Sequence, residues 1–286
     1  MDVPAWTPPD DVLTRPAPPP DLVVSYGPGR EHIADVRLPV AARGPAPLVI
    51  FLHGGFWRAA IDRAHTGPAA TALAAAGYAV CVPEFRRTGQ DGGGWPGTFD
   101  DVATAVGELP GLVRAAAGSG AVAEGPALLA GHSAGGHLAL WAAGRHRLPA
   151  GSRWRQPGAT ARGVVALGAV SCLADGQQRR LGNGATDALM GGGPETFPDR
   201  YRCADPVALL PLGCPLQLVH GALDDVVPPD LSRAFAARAR AVGDQVTLAE
   251  LRGISHMDVV DPLSPAWPAV LAAFTVLAPP VSPAAG

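Results

Sequence analysis

The chain alternates between short, wholly apolar runs and longer stretches of helix-forming residues. The run at residues 47–52 is continuous and apolar, as in a parallel strand that is covered on both faces. Further strands are predicted at residues 22–26, 34–38, 78–82, 127–130, 163–167, 216–220 and 246–251. Helices are predicted at residues 64–76, 99–117, 137–143, 230–242 and 266–277. This alternation predicts an α/β fold, with a mostly parallel central sheet and helices on both faces.

Two segments depart from this alternation. Residues 1–20 are rich in proline, which favours an extended N-terminal arm that wraps the surface or covers a pocket edge. Residues 171–205 are rich in glycine, aspartate, arginine and proline, and an insertion there would lie above the carboxyl ends of the strands. We expect this insertion to form a small cap or lid, with a plain surface loop as the alternative. Residues 21–286 are expected to form a single domain.

Composition excludes several classes of function. A formal net charge of -3 argues against a nucleic-acid partner, which would need a basic face. The absence of lysine excludes a Schiff-base mechanism, and the four cysteines lack the spacing of a zinc site. No signal peptide and no run of about 18 apolar residues is visible, so we expect a soluble cytoplasmic protein that does not enter the membrane. No metal or organic cofactor is implied, and the oligomeric state stays open.

The most informative motif is Gly131-His132-Ser133-Ala134-Gly135. It follows an apolar strand and precedes a helix-forming stretch, which is the context of a nucleophile elbow in an α/β-hydrolase fold. In such a tight turn the serine is strained and its hydroxyl points away from the sheet. Glycines two positions before and after the serine are needed because a Cβ would strike the neighbouring elements. The motif makes Ser133 the candidate nucleophile.

A serine hydroxyl needs a general base, and the base needs an orienting acid. In this fold the acid and then the histidine follow the serine along the chain. Asp224 lies just beyond the strand at residues 216–220, and the spacing Gly-x-x-Asp-x-x-Val-Pro favours it over the adjacent Asp225, which chemistry alone does not exclude. His256 follows the last predicted strand and precedes the last helix. The predicted triad is therefore Ser133, Asp224 and His256.

A second glycine motif, His53-Gly54-Gly55-Phe56-Trp57, directly follows the strand at residues 47–52. Glycines let the main chain approach a developing oxyanion and turn its amides inward. The predicted oxyanion-hole donors are the backbone N–H groups of Gly54, Gly55, Phe56 and Ala134. His53 is expected to brace the loop rather than to act in catalysis. Trp57 and Met257 are predicted to contact the substrate.

With these motifs in place, the chain resembles the esterase and lipase group of α/β-hydrolases, and most closely the kynurenine formamidase (arylformamidase) and small carboxylesterase branch. That branch carries a His-Gly-Gly-x-Trp motif and a Gly-His-Ser-Ala-Gly-Gly-like elbow, and the similarity covers roughly residues 45–265. Trp57 favours the formamidase-like members over those similar to hormone-sensitive lipase. Phe85 stands where the group often has tyrosine, and its side chain carries no hydroxyl group.

The resemblance implies a serine hydrolase that forms an acyl-enzyme on Ser133. Its substrate would be a small carboxylic ester or an aryl formamide such as N-formyl-kynurenine. The alternatives are a general carboxylesterase or lipase-like enzyme, and an acyl transferase or cyclase that uses the same triad. A non-catalytic binding module is also conceivable, but such modules usually lack a triad residue and none is missing here.

Overall fold

A computed structural model describes residues 12–40, 44–158 and 161–281 of the chain. Its main element is an eight-stranded sheet. The strands are β1 (Leu22–Ser25), β2 (Ile33–Arg37), β3 (Leu48–Leu52), β4 (Ala79–Pro83), β5 (Leu128–His132), β6 (Gly163–Leu167), β7 (Leu216–Gly221) and β8 (Val246–Leu251). Their order is β1-β2-β4-β3-β5-β6-β7-β8. Pairing is antiparallel between β1 and β2 and between β2 and β4, and parallel in the rest of the sheet.

The helices alternate with the strands as the sequence predicts. They are α1 (Gly67–Ala75), α2 (Gly97–Ala117), α3 (Ala134–Ala143), α4 (Leu173–Gln178), α5 (Leu181–Met190), α6 (Pro198–Ala204), α7 (Asp230–Ala241) and α8 (Trp267–Leu277). Short 3₁₀ turns lie at Arg63–Thr66, Gly144–Arg147 and Pro206–Leu209. Within the described ranges, no helix combines the length and apolarity that a membrane crossing requires.

The sheet separates two apolar cores, and this explains why the central strands are apolar at every position. Strands β3, β4, β5 and β6 are buried at all of their residues. Alternate side chains of these strands pack on opposite faces of the sheet. Ile50 belongs to the first core and Phe51 to the second. Helices α2, α3 and α7 cover the first face, and α1 and α8 cover the second. The predicted α/β-hydrolase fold with helices on both faces is confirmed.

The segment predicted as a cap contains three short helices that periodicity did not predict. Helices α4, α5 and α6 all lie within residues 171–205. Their irregularity has a local cause, because Gly182, Asn183 and Gly184 adopt left-handed backbone angles inside α5, with φ of 55°, 54° and 77°. A helical period cannot be read through such a kink, so the sequence pattern indicated only a loop or insertion.

The proline-rich arm is described from residue 12 onward, and the earlier part of residues 1–20 lies outside the described residues. Val12 is buried in the second core, and Leu13 lies near the carboxyl edge of the sheet. Arg15 forms a bidentate ion pair with Asp261, at 2.5 and 3.2 Å. The carbonyl of Pro18 accepts a hydrogen bond from Arg37. These contacts hold residues 12–20 against the body of the protein.

Candidate active site

Ser133 occupies the sharp turn between β5 and α3. Its backbone angles are φ 56° and ψ −119°, a conformation that a residue other than glycine rarely adopts. The turn is fixed from β6, because the Ser133 N–H donates to the Leu167 carbonyl at 2.8 Å. Strained backbone that is held by neighbouring strands is a common property of catalytic positions. The structure thus places Ser133 in the geometry of a nucleophile elbow.

The two glycines around Ser133 are required by close backbone contacts. A Cβ at Gly131 would lie 2.2 Å from the Gly135 carbonyl oxygen, and a Cβ at Gly135 would lie 2.0 Å from the Leu52 carbonyl oxygen. Both distances are far below any van der Waals contact. The steric argument made from the Gly-x-Ser-x-Gly pattern therefore has a definite structural counterpart in this chain.

Asp224 and His256 form a buried hydrogen-bonded pair. The Nδ1–H of His256 donates to Oδ2 of Asp224 at 2.7 Å. The other carboxylate oxygen, Oδ1, accepts the backbone N–H groups of Val226 at 3.0 Å and Val227 at 2.7 Å. Asp225 is exposed and makes no contact of this kind among the described residues. The geometry therefore favours Asp224 over Asp225 as the residue that orients His256.

His220, near the end of β7, contacts the same carboxylate. Its Nε2 lies 3.1 Å from Asp224 Oδ2, and its Nδ1 lies 2.7 Å from the hydroxyl of Ser232. Burial alone would raise the pKa of Asp224, but the hydrogen bonds from His220 and His256 outweigh it and lower that pKa. Asp224 is therefore a carboxylate at neutral pH and can stabilise a protonated His256.

The loop that carries His256 is fixed at two points. The side chain of His132, next to the nucleophile, contacts the His256 carbonyl oxygen through Nε2 at 3.0 Å. Asp258 Oδ2 accepts both the N–H and the hydroxyl of Ser255, at 2.6 and 2.9 Å. Burial and the neighbouring His256 lower the pKa of His132, so its ring stays neutral at physiological pH. Both contacts restrict the position of the His256 ring.

The loop after β3 has the shape that an oxyanion hole requires. Gly55, Phe56 and Trp57 all have positive φ angles, of 103°, 50° and 56°. A Cβ at Gly54 would lie 3.3 Å from the Cβ of Ser133, so the loop lies directly against the elbow. Among the described residues, the N–H groups of Gly54, Gly55, Phe56 and Ala134 donate to no other group. They remain the predicted donors to an oxyanion.

Beneath this loop, His53 is held between an aromatic ring and a buried carboxylate. The ring stacks on Phe85 with a centroid separation of 4.3 Å, so Phe85 acts here through packing. The Nε2 atom of His53 lies 3.0 Å from Oε1 of Glu84, and Nδ1 lies 2.9 Å from the Gly54 carbonyl oxygen. These contacts agree with the predicted bracing role of His53.

Trp57 was predicted to contact the substrate, and this prediction is wrong. The indole is 1% exposed and packs edge-on against the His137 ring, at 5.2 Å between centroids, inside the first core. Two successive left-handed residues, Phe56 and Trp57, turn the chain so that only Phe56 reaches the cavity beside Ser133. The tryptophan of the motif therefore stabilises the loop from below.

A largely apolar cavity of about 410 Å³ opens beside the candidate nucleophile. Ser133, His256, Phe56 and Met257 all line it, as the sequence analysis expected for these four residues. Sequence reasoning missed the other lining side chains, which are Leu13, Arg58, Ala60, Ile61, His65 and Val226. Leu13 comes from the arm, Val226 comes from the loop after β7, and the others come from the segment between the oxyanion loop and α1, where no motif marks a functional position.

Gly168 lies against the Asp224–His256 pair and offers a test of its geometry. Its φ is 50°, and a Cβ there would lie 3.3 Å from both Asp224 Oδ2 and His256 Nδ1. We expect Gly168→Ala to cost about 1–2 kcal/mol of stability and to lower kcat about tenfold, because the pair must shift. Gly120→Ala is the matched control, since Gly120 has φ 80° with nothing within 4 Å. Equal kcat values for the two variants, measured beside their melting temperatures, would contradict the expectation.

The ion pair of the arm should influence substrate binding. Arg15→Ala removes the partner of the buried Asp261 and loosens Leu13, which lines the cavity. Loss of one apolar wall residue corresponds to about 1 kcal/mol, so KM for a p-nitrophenyl ester should rise about fivefold. Arg30→Ala, which removes an exposed ion pair with Glu31, should leave KM unchanged. A KM for Arg15→Ala equal to that of the control would refute a role of the arm in binding.

Comparison with known proteins identifies the family of the chain. A model of the BD-FAE family matches residues 34–238. Esterase LipC of Mycobacterium tuberculosis is 30% identical over an alignment of 252 residues that covers 83% of this chain. The chain spans 60% of the length of that relative.

Two solved structures show the same fold. A truncated carbohydrate esterase from gut microbiota has a TM-score of 0.73 at 19% identity, and the match covers 94% of this chain and 98% of the other. Esterase 2 of the planctomycete Thermogutta terrifontis has a TM-score of 0.70 at 19% identity, with coverage of 96% and 99%. At such low identity these likenesses concern the fold alone.

Proposed function

The chain belongs to the BD-FAE family, and we propose that it is a serine esterase that cleaves small carboxylic esters through an acyl-enzyme on Ser133. One observation carries the proposal. The strained Ser133 and the oriented His256 line a single cavity, next to a glycine loop whose N–H groups have no other partner among the described residues. The curated relative is itself named an esterase, which supports the same reaction class.

In the proposed reaction the Ser133 hydroxyl attacks the ester carbonyl while Nε2 of His256 accepts the hydroxyl proton. The negative charge that develops on the carbonyl oxygen is stabilised by the N–H groups of Gly55, Phe56 and Ala134. Collapse of the tetrahedral intermediate breaks the bond to the alcohol, which leaves with the proton from His256. Water then attacks the acyl-enzyme by the same route in reverse, and free Ser133 is regenerated.

Asp224 acts on the reaction through His256. As a buried carboxylate bonded to Nδ1–H, it fixes the tautomer in which Nε2 is the free acceptor. It also stabilises the imidazolium that forms when His256 takes the proton. Within the part of the chain that the structure describes, no group of three or more His, Cys, Asp or Glu side chains is arranged to hold a metal ion. The proposed steps use only these side chains and the backbone.

Much of the cavity wall is apolar and is formed by Phe56, Ile61, Val226 and Met257. Such a cavity favours small substrates with an apolar portion. The second candidate is an aryl formamide such as N-formyl-kynurenine, which is favoured by the His-Gly-Gly-Phe-Trp motif at residues 53–57. We propose the ester as the main substrate, since the curated relative is itself named an esterase. Transfer of the acyl group to an alcohol would use the same intermediate.

The test compares hydrolysis of p-nitrophenyl acetate with hydrolysis of N-formyl-kynurenine, with the Ser133→Ala variant as the blank. We expect ester cleavage that disappears in the variant, and a formamide kcat/KM below about 10⁴ M⁻¹s⁻¹. A higher formamide value with little ester cleavage would make the protein a formamidase. Wild-type ester hydrolysis by Ser133→Ala would refute the mechanism. Product analysis in the presence of a short alcohol separates hydrolysis from acyl transfer.

A further inference from the structure

His65 is a polar side chain in the wall of the cavity that no step of the proposed reaction uses. It lies in the 3₁₀ turn Arg63–Thr66, and it is 8% exposed. Its Nδ1 lies 2.7 Å from the Asp62 carbonyl oxygen. Its Nε2 has no hydrogen-bond partner among the described residues, and it is not enclosed within the protein. The side chain thus offers one free ring nitrogen at the cavity wall.

The contact with Asp62 decides which ring nitrogen of His65 carries the proton. A carbonyl oxygen can only accept a hydrogen bond, so Nδ1 is the protonated nitrogen and donates to it. Burial, together with the neighbouring His53, lowers the pKa of His65 to about 4, so the ring is neutral at physiological pH. Nε2 therefore carries a lone pair and acts as a hydrogen-bond acceptor.

The other residues of the cavity wall make this acceptor important for selectivity. The lining between Gly55 and Ile61 includes Phe56, Ala60 and Arg58, and the guanidinium of Arg58 donates to the carbonyls of Gly182 and Asn183. An apolar substrate that fills the cavity would displace water from His65 without replacing its hydrogen bond. A buried acceptor that is left without a partner discriminates strongly between ligands that do and do not supply a donor.

We infer that His65 selects ester substrates that carry a hydroxyl group, whose O–H donates to His65 Nε2 when the ester carbonyl lies beside Ser133. The inference rests on the proposed esterase function and adds the substrate class. The hydroxyl can belong to the acyl group or to the leaving alcohol, and the chemistry at Nε2 is the same in both. The two sources are separated by the substrates of the test.

The test uses two pairs of esters that differ in one hydroxyl. The acyl pair is p-nitrophenyl 3-hydroxybutyrate and p-nitrophenyl butyrate, and the leaving-group pair is 3-hydroxyphenyl acetate and phenyl acetate. For each pair the kcat/KM ratio of the hydroxylated to the plain ester is measured in the wild type and in a variant. Dividing one ratio by the other cancels the intrinsic reactivity of the esters, so only the contribution of the altered side chain remains.

Two substitutions of His65 separate its two nitrogens. In His65→Asn the amide can keep the bond to the Asp62 carbonyl but does not extend to the position of Nε2. In His65→Gln the longer side chain can place an oxygen acceptor near that position. The matched control is His146→Asn, because His146 also lies in a 3₁₀ turn and contacts a carbonyl three residues earlier through Nδ1, that of Ala143 at 3.2 Å. His146 does not line the cavity.

We expect His65→Asn to lower the hydroxyl preference about five- to tenfold for at least one pair, with partial recovery in His65→Gln and no change in His146→Asn. The pair that responds identifies the side of the ester that carries the hydroxyl. A preference within about twofold of the wild type for both pairs in His65→Asn would overturn the inference and leave the esterase proposal intact. Failure of the wild type to cleave any of the four esters would instead overturn the proposed function.

Discussion

Replacing Asp224 with asparagine should lower kcat for ester hydrolysis by about 10³–10⁴-fold. The neutral asparagine amide lacks the charge with which the carboxylate stabilises an imidazolium. An amide donor in that place also favours the tautomer in which Nε2 is protonated and unable to act as the base. The effect should appear in kcat measured with p-nitrophenyl acetate, with little change in KM.

The neighbouring aspartate provides the control for this experiment. Asp225 carries the same charge one residue later but is exposed, and Asp225→Asn should stay within about twofold of the wild type. A large loss of kcat in Asp225→Asn, together with full activity in Asp224→Asn, would show that the catalytic acid is assigned to the wrong residue. A loss in both would indicate that the loop, rather than one carboxylate, determines the position of His256.

The second large effect is expected at Glu84, and it concerns stability. This carboxylate is 4% exposed and lies close to the side chains of His53 and Arg87, while its Oε2 accepts the backbone N–H of Arg63. Burial acts to raise the pKa of Glu84, but hydrogen bonding and charge from His53 and Arg87 outweigh it and bring that pKa to about 2. Glu84→Gln should lower the free energy of unfolding at pH 7 by about 3 kcal/mol, as measured by urea denaturation.

The pH dependence follows from the direction of this shift. The folded-state pKa of Glu84 is depressed below 4.5. The contribution of the ionised side chain to the free energy of unfolding is therefore complete above about pH 5, and it is lost as the pH falls towards 2. The difference in unfolding free energy between wild type and Glu84→Gln should therefore shrink to about half at pH 3. Glu124→Gln, at a side chain that is 90% exposed, is the control and should show almost no difference at either pH. A difference between Glu84→Gln and wild type that does not change with pH would contradict the account.

The parts of this site that the sequence predicted are those whose backbone geometry demands particular residues. The elbow needs Gly131 and Gly135 because backbone atoms lie within about 2 Å of the missing Cβ positions, so the glycines themselves reveal the turn. Asp224 and His256 were predicted from their order after the strands, because parallel strands end at one edge of the sheet. Their pairing over 32 residues of sequence follows from the topology alone.

The remaining parts depend on tertiary contacts that leave no local pattern. His65 and Arg58 reach the cavity because the loop after β3 has successive positive φ angles, which no hydrophobic period records. The same angles direct Trp57 into the core, and the sequence motif gave no means of deciding between the two directions. Leu13 is close to Ser133 in space although it lies 120 residues earlier, so only the folded chain reveals this contact.

The contact between Arg58 and helix α5 has a consequence for evolvability. Arg58 donates to the carbonyls of Gly182 and Asn183, which every amino acid possesses, so this anchor does not depend on the side chains of the segment. At this anchor Gly182 is sterically constrained, because a Cβ there would lie 2.7 Å from the Phe56 ring. The exposed positions within residues 173–204 could therefore drift in sequence, and the segment still dock on the oxyanion loop, if Arg58, Gly182 and the buried core side chains such as Leu189 and Met190 are retained.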